Sequence, residues 1–172
     1  SLFVKDTANL SKYKKNITVY GNTKFKKIFP IKYFNISLSS FKFQSKSKQY
    51  VEKFIKIEKN YPSDLIEVHN RPNYLSDIVK SLGKKNLVLY FHNDPLTMTG
   101  SKSINERKFL LKNCYKIIFN SNWSKKRFLE GMHDKFINSD KLLVIFQSAK
   151  KFKIHPKQKM REITFVGKLN KS

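Results

Sequence analysis

Two short segments bring a histidine, an amide, a charged side chain and a proline together. His69-Asn70-Arg71-Pro72 follows Asp64-Leu65-Ile66-Glu67-Val68, and His92-Asn93-Asp94-Pro95 follows Leu87-Val88-Leu89-Tyr90-Phe91. An imidazole titrates near neutral pH and its ring nitrogens donate or accept a hydrogen bond, while Asn and Asp can fix the hydroxyls of a polyol. His92, Asn93 and Asp94 are therefore candidate catalytic residues. His69, Asn70 and Arg71 are candidate ligand contacts, with Arg71 suited to an anionic group. The plainer reading is that both segments are strand-to-loop turns, since Asn, Asp and Pro form turns in any case. A turn does not require histidine, which favours chemistry at 92–95. Segment 69–72 stays open between the two readings.

Other polar groups weigh less. Asn120-Ser121-Asn122-Trp123-Ser124 sits between an apolar run and a helical pattern. Ser121 or Asn122 caps that helix, and the helix start could also receive an anion. His133 and His155 lie in polar surroundings and read as solvated. A metal site from His69, His92, Asp94 and Cys114 matches no zinc spacing, so no metal is expected. Neither a G-x-G-x-x-G nor a P-loop pattern is present.

The elements that must position these residues follow from periodicity. The two apolar runs read as buried strands over 64–69 and 86–92. Helical spacing predicts a helix from about Asn73 to Leu82, stopped by Gly83. Another is predicted near 104–114, opened by the Ser103/Glu106 capping-box spacing, and a third from about Trp123 to Glu130. Residues 116–120 and 142–146 complete the strands of this region. Upstream, 2–14 gives a weak amphipathic helix, 17–20 and 33–38 are short strands around a basic loop, and 45–60 is an amphipathic helix halted by Pro62. Alternating strands and helices imply an α/β, Rossmann-like parallel sheet with helices on both faces. A polar cluster at the carboxyl end of such strands lies where open α/β sheets bind ligands. Domain organisation is expected to be 1–149 as the α/β domain, 150–160 as a basic linker with Pro156, and 161–172 as the first strand of a second, truncated domain.

Composition bounds the rest. The 172 residues are 40% hydrophobic and 14% aromatic, as suits a folded domain. No apolar run approaches membrane-spanning length and no signal-peptide pattern is present. The chain starts at Ser1 without Met, so it is expected to begin inside a longer protein. The lone Cys114 fits a reducing, cytoplasmic setting. Net charge is +24, and only four of the 36 basic residues are arginine (Arg71, Arg107, Arg127, Arg161). Abundant Lys, Asn, Ile and Phe match drift in an A/T-rich coding sequence. The same charge would attract a polyanion, either nucleic acid or an anionic membrane surface.

With these residues placed, the stretch from Ile17 to Ser172 resembles the N-terminal half of a family-four glycosyltransferase of the GT-B type. It is most similar to spore-coat and lipopolysaccharide transferases. The strand ends at 69–72 and 92–95, the segment Lys116-Ile117-Ile118-Phe119-Asn120-Ser121-Asn122-Trp123-Ser124, and Ile163-Thr164-Phe165-Val166-Gly167-Lys168-Leu169 carry the likeness. The resemblance implies a two-domain enzyme that moves a sugar, with retention, from a nucleotide-sugar substrate to a glycan or lipid-linked acceptor. No separate cofactor is implied. It places His92 near the reacting sugar, with Asn93 and Asp94 beside it, and His69, Asn70 and Arg71 on the acceptor side. Gly167, Lys168 and Ser121 would face the donor. It also implies cytoplasmic residence, with peripheral contact to anionic lipid at the inner membrane face. No nucleic-acid partner is expected on this reading, because no recognition motif for one is present. A basic α/β module binding nucleic acid without catalysis is the alternative. Three departures stand: Gln147-Ser148-Ala149 replaces the usual Asn-Gly, the Gly-rich loop after the first strand is missing, and the Glu-containing donor motif is not in the chain.

Overall fold

The computed structural model describes residues 2–23, 31–40, 43–83, 86–133, 136 and 139–147. The expected linker at 150–160, the strand at 161–172 and the donor-side candidates Gly167 and Lys168 lie outside the described residues, as does His155.

The chain is α/β. In order it forms α1 (Leu2–Leu10), β1 (Thr18–Gly21), β2 (Lys32–Asn35), α2 (Lys46–Asn60), β3 (Ile66–His69), α3 (Tyr74–Leu82), β4 (Leu87–Phe91), α4 (Ile104–Asn113), β5 (Lys116–Phe119), α5 (Asn122–Leu129) and β6 (Leu142–Val144). Strands β3-β4-β5-β6 make a four-stranded sheet, parallel throughout, in chain order. Strands β1 and β2 pair with each other in a separate two-stranded parallel sheet.

Local chemistry explains the helix ends. The Ser45 hydroxyl accepts from the Lys48 amide at 3.2 Å and opens α2. The Ser103/Glu106 capping box opens α4 with both reciprocal bonds formed. Helix α1 stops earlier than the sequence pattern indicates, because the Ser11 hydroxyl accepts from the Tyr13 amide and turns the chain into a 3-10 segment at Lys14–Asn16. Helix α3 ends at Gly83, whose φ +68° and ψ −146° fall in a region open essentially to glycine alone.

Strand alternation divides the core in two. Leu87, Leu89 and Phe91 of β4 and Ile117 and Phe119 of β5 point to one face. There they pack with Val51 and Ile55 of α2, Leu75 and Ile78 of α3, Leu110 and Leu111 of α4, and Phe128 of α5. The intervening Val88, Tyr90 and Ile118 point to the other face and pack with Phe3 of α1. Helices α2 to α5 thus pack on the first face, and α1 meets the second through Phe3.

Arg107 links α4 to the end of α5. It is 3% exposed, and its guanidinium donates to the carbonyls of Phe128, Glu130 and Ser103. The Phe128 and Glu130 carbonyls lie at the end of α5, where a helix leaves carbonyls unpaired and favours a cation, whereas the Ser103 carbonyl already accepts from the Arg107 amide.

Candidate functional site

The register brings the strand ends into step. His69 lies opposite Tyr90, and Phe91 lies opposite Phe119. The polar residues after β3, β4 and β5 therefore emerge side by side at the carboxyl edge of the sheet. His92 is held there by its own backbone. Asn70 adopts φ +55°, a conformation that asparagine tolerates better than most residues, and its Oδ1 accepts from the His92 amide at 2.8 Å. From the other side, Asn120 Nδ2 donates to the His92 carbonyl at 2.8 Å. Two asparagines from neighbouring strand ends thus satisfy the peptide groups of His92 beyond the last residue of β4.

The His92 side chain joins a chain of polar contacts across the edge. Glu67 Oε2 lies 3.2 Å from His69 Nε2, and His69 Nδ1 lies 3.0 Å from His92 Nε2. Gln147, after β6, bonds through its side-chain nitrogen to His92 Nδ1. The rings of Tyr90 and His92 stack at 4.5 Å and those of His69 and His92 at 5.3 Å. Phe3 meets His92 edge-on at 4.8 Å. Tyr90 donates its hydroxyl to the Ile145 carbonyl at 3.0 Å, which ties β4 to the chain after β6. Partial burial, and after it the neighbouring His69, pull the His92 pKa down to about 4. His92 is therefore a neutral imidazole at physiological pH, able to donate from one nitrogen and accept at the other.

The remaining candidates take different places. Asp94 accepts from the Leu96 amide at 3.0 Å and meets Arg127 at 3.2 Å, so its carboxylate anchors the loop after β4 to α5. Arg127 also pairs with Glu130 and lies over the Trp123 ring. Asn93 is exposed beside His92. Arg71 is exposed as well, and donates to the carbonyl of Asn70 at 2.8 Å. Ser121 caps α5 by accepting from the Ser124 amide at 3.2 Å. Its hydroxyl is thus occupied in capping, at a helix start close to the strand ends.

An open cavity of about 420 Å³ lies at the amino-terminal ends of α3 and α4, lined by Pro72, Asn73, Ser76, Gly100, Asn105 and Phe109 among others. No histidine lines it, so the His69–His92 pair lies outside this hollow. Gly100 closes the loop onto α3. Its φ is +94°, and a Cβ there would stand 2.5 Å from the Asn73 backbone nitrogen. Among the described residues no group of three His, Cys, Asp or Glu side chains is placed to hold a metal. Cys114 is buried in the main core, where desolvation pushes its thiol up to about 12 and leaves it protonated.

Sequence reasoning singled out His69 and His92 and did not assign Glu67, Asn120, Gln147 or Phe3 a part. Glu67 was within reach, because it precedes His69 by two positions and shares its face of the strand. Nothing local marks Gln147 or Phe3, which arrive from distant parts of the chain. No model of a known protein family matches the sequence, and no curated protein is significantly similar to it.

Proposed function

We propose that the chain is the acceptor-side domain of a GT-B-type glycosyltransferase that moves a sugar from a nucleotide-sugar donor to a glycan or lipid-linked acceptor. The observation that carries this reading is His92. It is a neutral, partly desolvated imidazole, clamped by Asn70 and Asn120 at the carboxyl edge of a parallel sheet. Open α/β sheets bind ligands at that edge, and a neutral imidazole suits hydroxyl groups better than anions. In this reading His92 meets the reacting sugar, with Asn93 exposed at its side. Arg71 meets the acceptor. Asp94 acts through the loop it anchors. Ser121, and Gly167 with Lys168, serve the donor side, a role taken from the resemblance alone.

The test uses the complete open reading frame that contains this chain. Expressed and offered a panel of nucleotide sugars, it releases nucleoside diphosphate. His92→Ala lowers turnover by about a hundredfold or more, the usual loss when a positioned polar group leaves a reaction centre, with folding largely unchanged. The 172-residue chain by itself turns over none. Unchanged turnover in His92→Ala would make His92 a turn residue. Salt-sensitive retention of random-sequence oligonucleotides without sugar turnover would favour the nucleic-acid module instead.

The net charge of +24 favours a second feature of the same reading, residence at the cytoplasmic face of a membrane. Lys12, Lys14 and Lys15 after α1, and Lys46, Lys48, Lys56 and Lys59 of α2, are exposed. Among the described residues no helix is long and apolar enough to cross a membrane, so the contact we propose is peripheral.

A further inference from the structure

We propose that Glu67, His69 and His92 form one proton-accepting relay, with His92 Nδ1 as its outward end for a ligand hydroxyl and with Glu67 and His69 as positioning residues. The direction of the relay follows from donor and acceptor counting. An ionised carboxylate only accepts hydrogen bonds. With a single proton on its ring, His69 must hold it on Nε2, 3.2 Å from the accepting Glu67 Oε2. His69 Nδ1 is then a lone pair, and His92 Nε2, 3.0 Å away, must be the donor to it. That leaves His92 Nδ1 unprotonated. The side-chain nitrogen of Gln147 donates to this atom, which is the bond expected of an acceptor. Every link carries one proton, and each donor has one acceptor.

The arrangement overcomes the low proton affinity that burial imposes on His92. When a ligand hydroxyl replaces the Gln147 amide and its oxygen bonds to the anomeric carbon of a nucleotide sugar, the nucleoside diphosphate leaves with the electron pair of the old C–O bond, the O–H pair stays on the attacking oxygen, and the proton forms an Nδ1–H bond on His92. The Nε2–H proton of His92 passes to Nδ1 of His69. His92 is neutral again, and the positive charge rests on His69 beside the Glu67 carboxylate. The charge therefore settles on the ring that lies 3.2 Å from a carboxylate. Among the described residues, Glu67 and His69 of β3 and Tyr90 of β4 are the titratable groups in contact with this chain of bonds and rings, while Phe3 of α1 and Gln147 contribute none. The sugar-transfer reading supplies the hydroxyl, the anomeric carbon it attacks and the leaving group; the tautomer chain stands on the geometry alone.

The tautomer of His92 in the 172-residue chain tests this by two-bond ¹H–¹⁵N correlation at neutral pH, without any sugar. The expected result is protonated Nε2 with Nδ1 in the lone-pair range. Glu67→Lys replaces an acceptor by a donor-only group at a side chain 47% exposed, where the fold tolerates it. It should exchange the two nitrogen signals of His92, because each link of the chain reverses. Glu67→Gln, whose amide donates or accepts, should populate both tautomers; it decides the matter if the lysine variant does not fold. A wild-type Nδ1–H tautomer, or an unchanged His92 in the folded variants, overturns the relay. Because no substrate is present, that failure is distinct from absent glycosyl transfer in the complete enzyme.

Discussion

Replacement of Gly100 by alanine tests how the loop after His92 is seated. Two costs are separable by comparing it with Gly83→Ala. Both glycines have positive φ, +94° at Gly100 and +68° at Gly83. A Cβ at Gly83 would meet nothing within 4 Å, so that variant carries only the backbone penalty of φ +68° with ψ −146°, about 1–3 kcal/mol. A Cβ at Gly100 would stand 2.5 Å from the Asn73 nitrogen, 2.7 Å from its Cα and 2.8 Å from the Pro72 carbonyl carbon. These are backbone atoms at the start of α3 and cannot swing aside like a long side chain. Relief needs the loop to lift from α3, which weakens the contact between the Gly100 amide and Glu106 at 3.2 Å. The sum for Gly100→Ala is about 2–4 kcal/mol. Urea unfolding followed by circular dichroism reads both variants, with an unchanged slope indicating that only stability has moved. Equal losses in the two variants would mean that the loop does not press on α3, and would refute the seating described above.

Three further outcomes are expected. Burial and His69 hold His92 near 4 in the fold against an ordinary value of 6.5, so the unfolded chain takes a proton that the native chain refuses. Stability is therefore complete above about pH 6.5, falls as pH drops towards 4, and should lose part of that slope in His92→Gln when unfolding is measured across this window. Arg107→Met keeps the aliphatic stem but removes the donors to the Phe128, Glu130 and Ser103 carbonyls. It should cost about 2 kcal/mol after relief of the buried charge is counted, and a neutral or stabilising result in urea unfolding would refute the bridging role. Co-sedimentation with anionic vesicles at low salt should exceed that with neutral vesicles and fade as salt rises, since each lysine near the surface contributes about 1 kcal/mol; equal recovery from both would leave the charge as compositional drift.

Much of the architecture was legible because it rests on interactions between residues near in sequence. Apolar runs such as Leu87–Phe91 announce buried strands by composition alone. The capping box of Ser103 and Glu106 and the Gly83 stop are complete within a few residues. Alternation of these elements was enough for a parallel α/β sheet, and the position of the two His-Asn pairs straight after apolar runs put both at its carboxyl edge. Boundaries were less legible. Helix α1 ends at Leu10 because the Ser11 side chain competes for the backbone, and β6 is shorter than its apolar run because pairing with β5, not hydropathy, sets its length.

What only the tertiary structure decided is which strand ends meet. A His at position 69 and another at position 92 say nothing of a 3.0 Å contact until the register sets His69 opposite Tyr90 and leaves the rings adjacent. Asn120 could clamp the His92 carbonyl only once β5 lay beside β4, and Arg127 reached Asp94 only through the packing of α5. Gln147 and Phe3 come from opposite ends of the described chain to the same imidazole. The physical reason is one of range. Hydrophobic periodicity and capping act over a few residues and are written along the chain, whereas the protonation and direction of the His92 side chain depend on groups that only the folded sheet brings within hydrogen-bond distance.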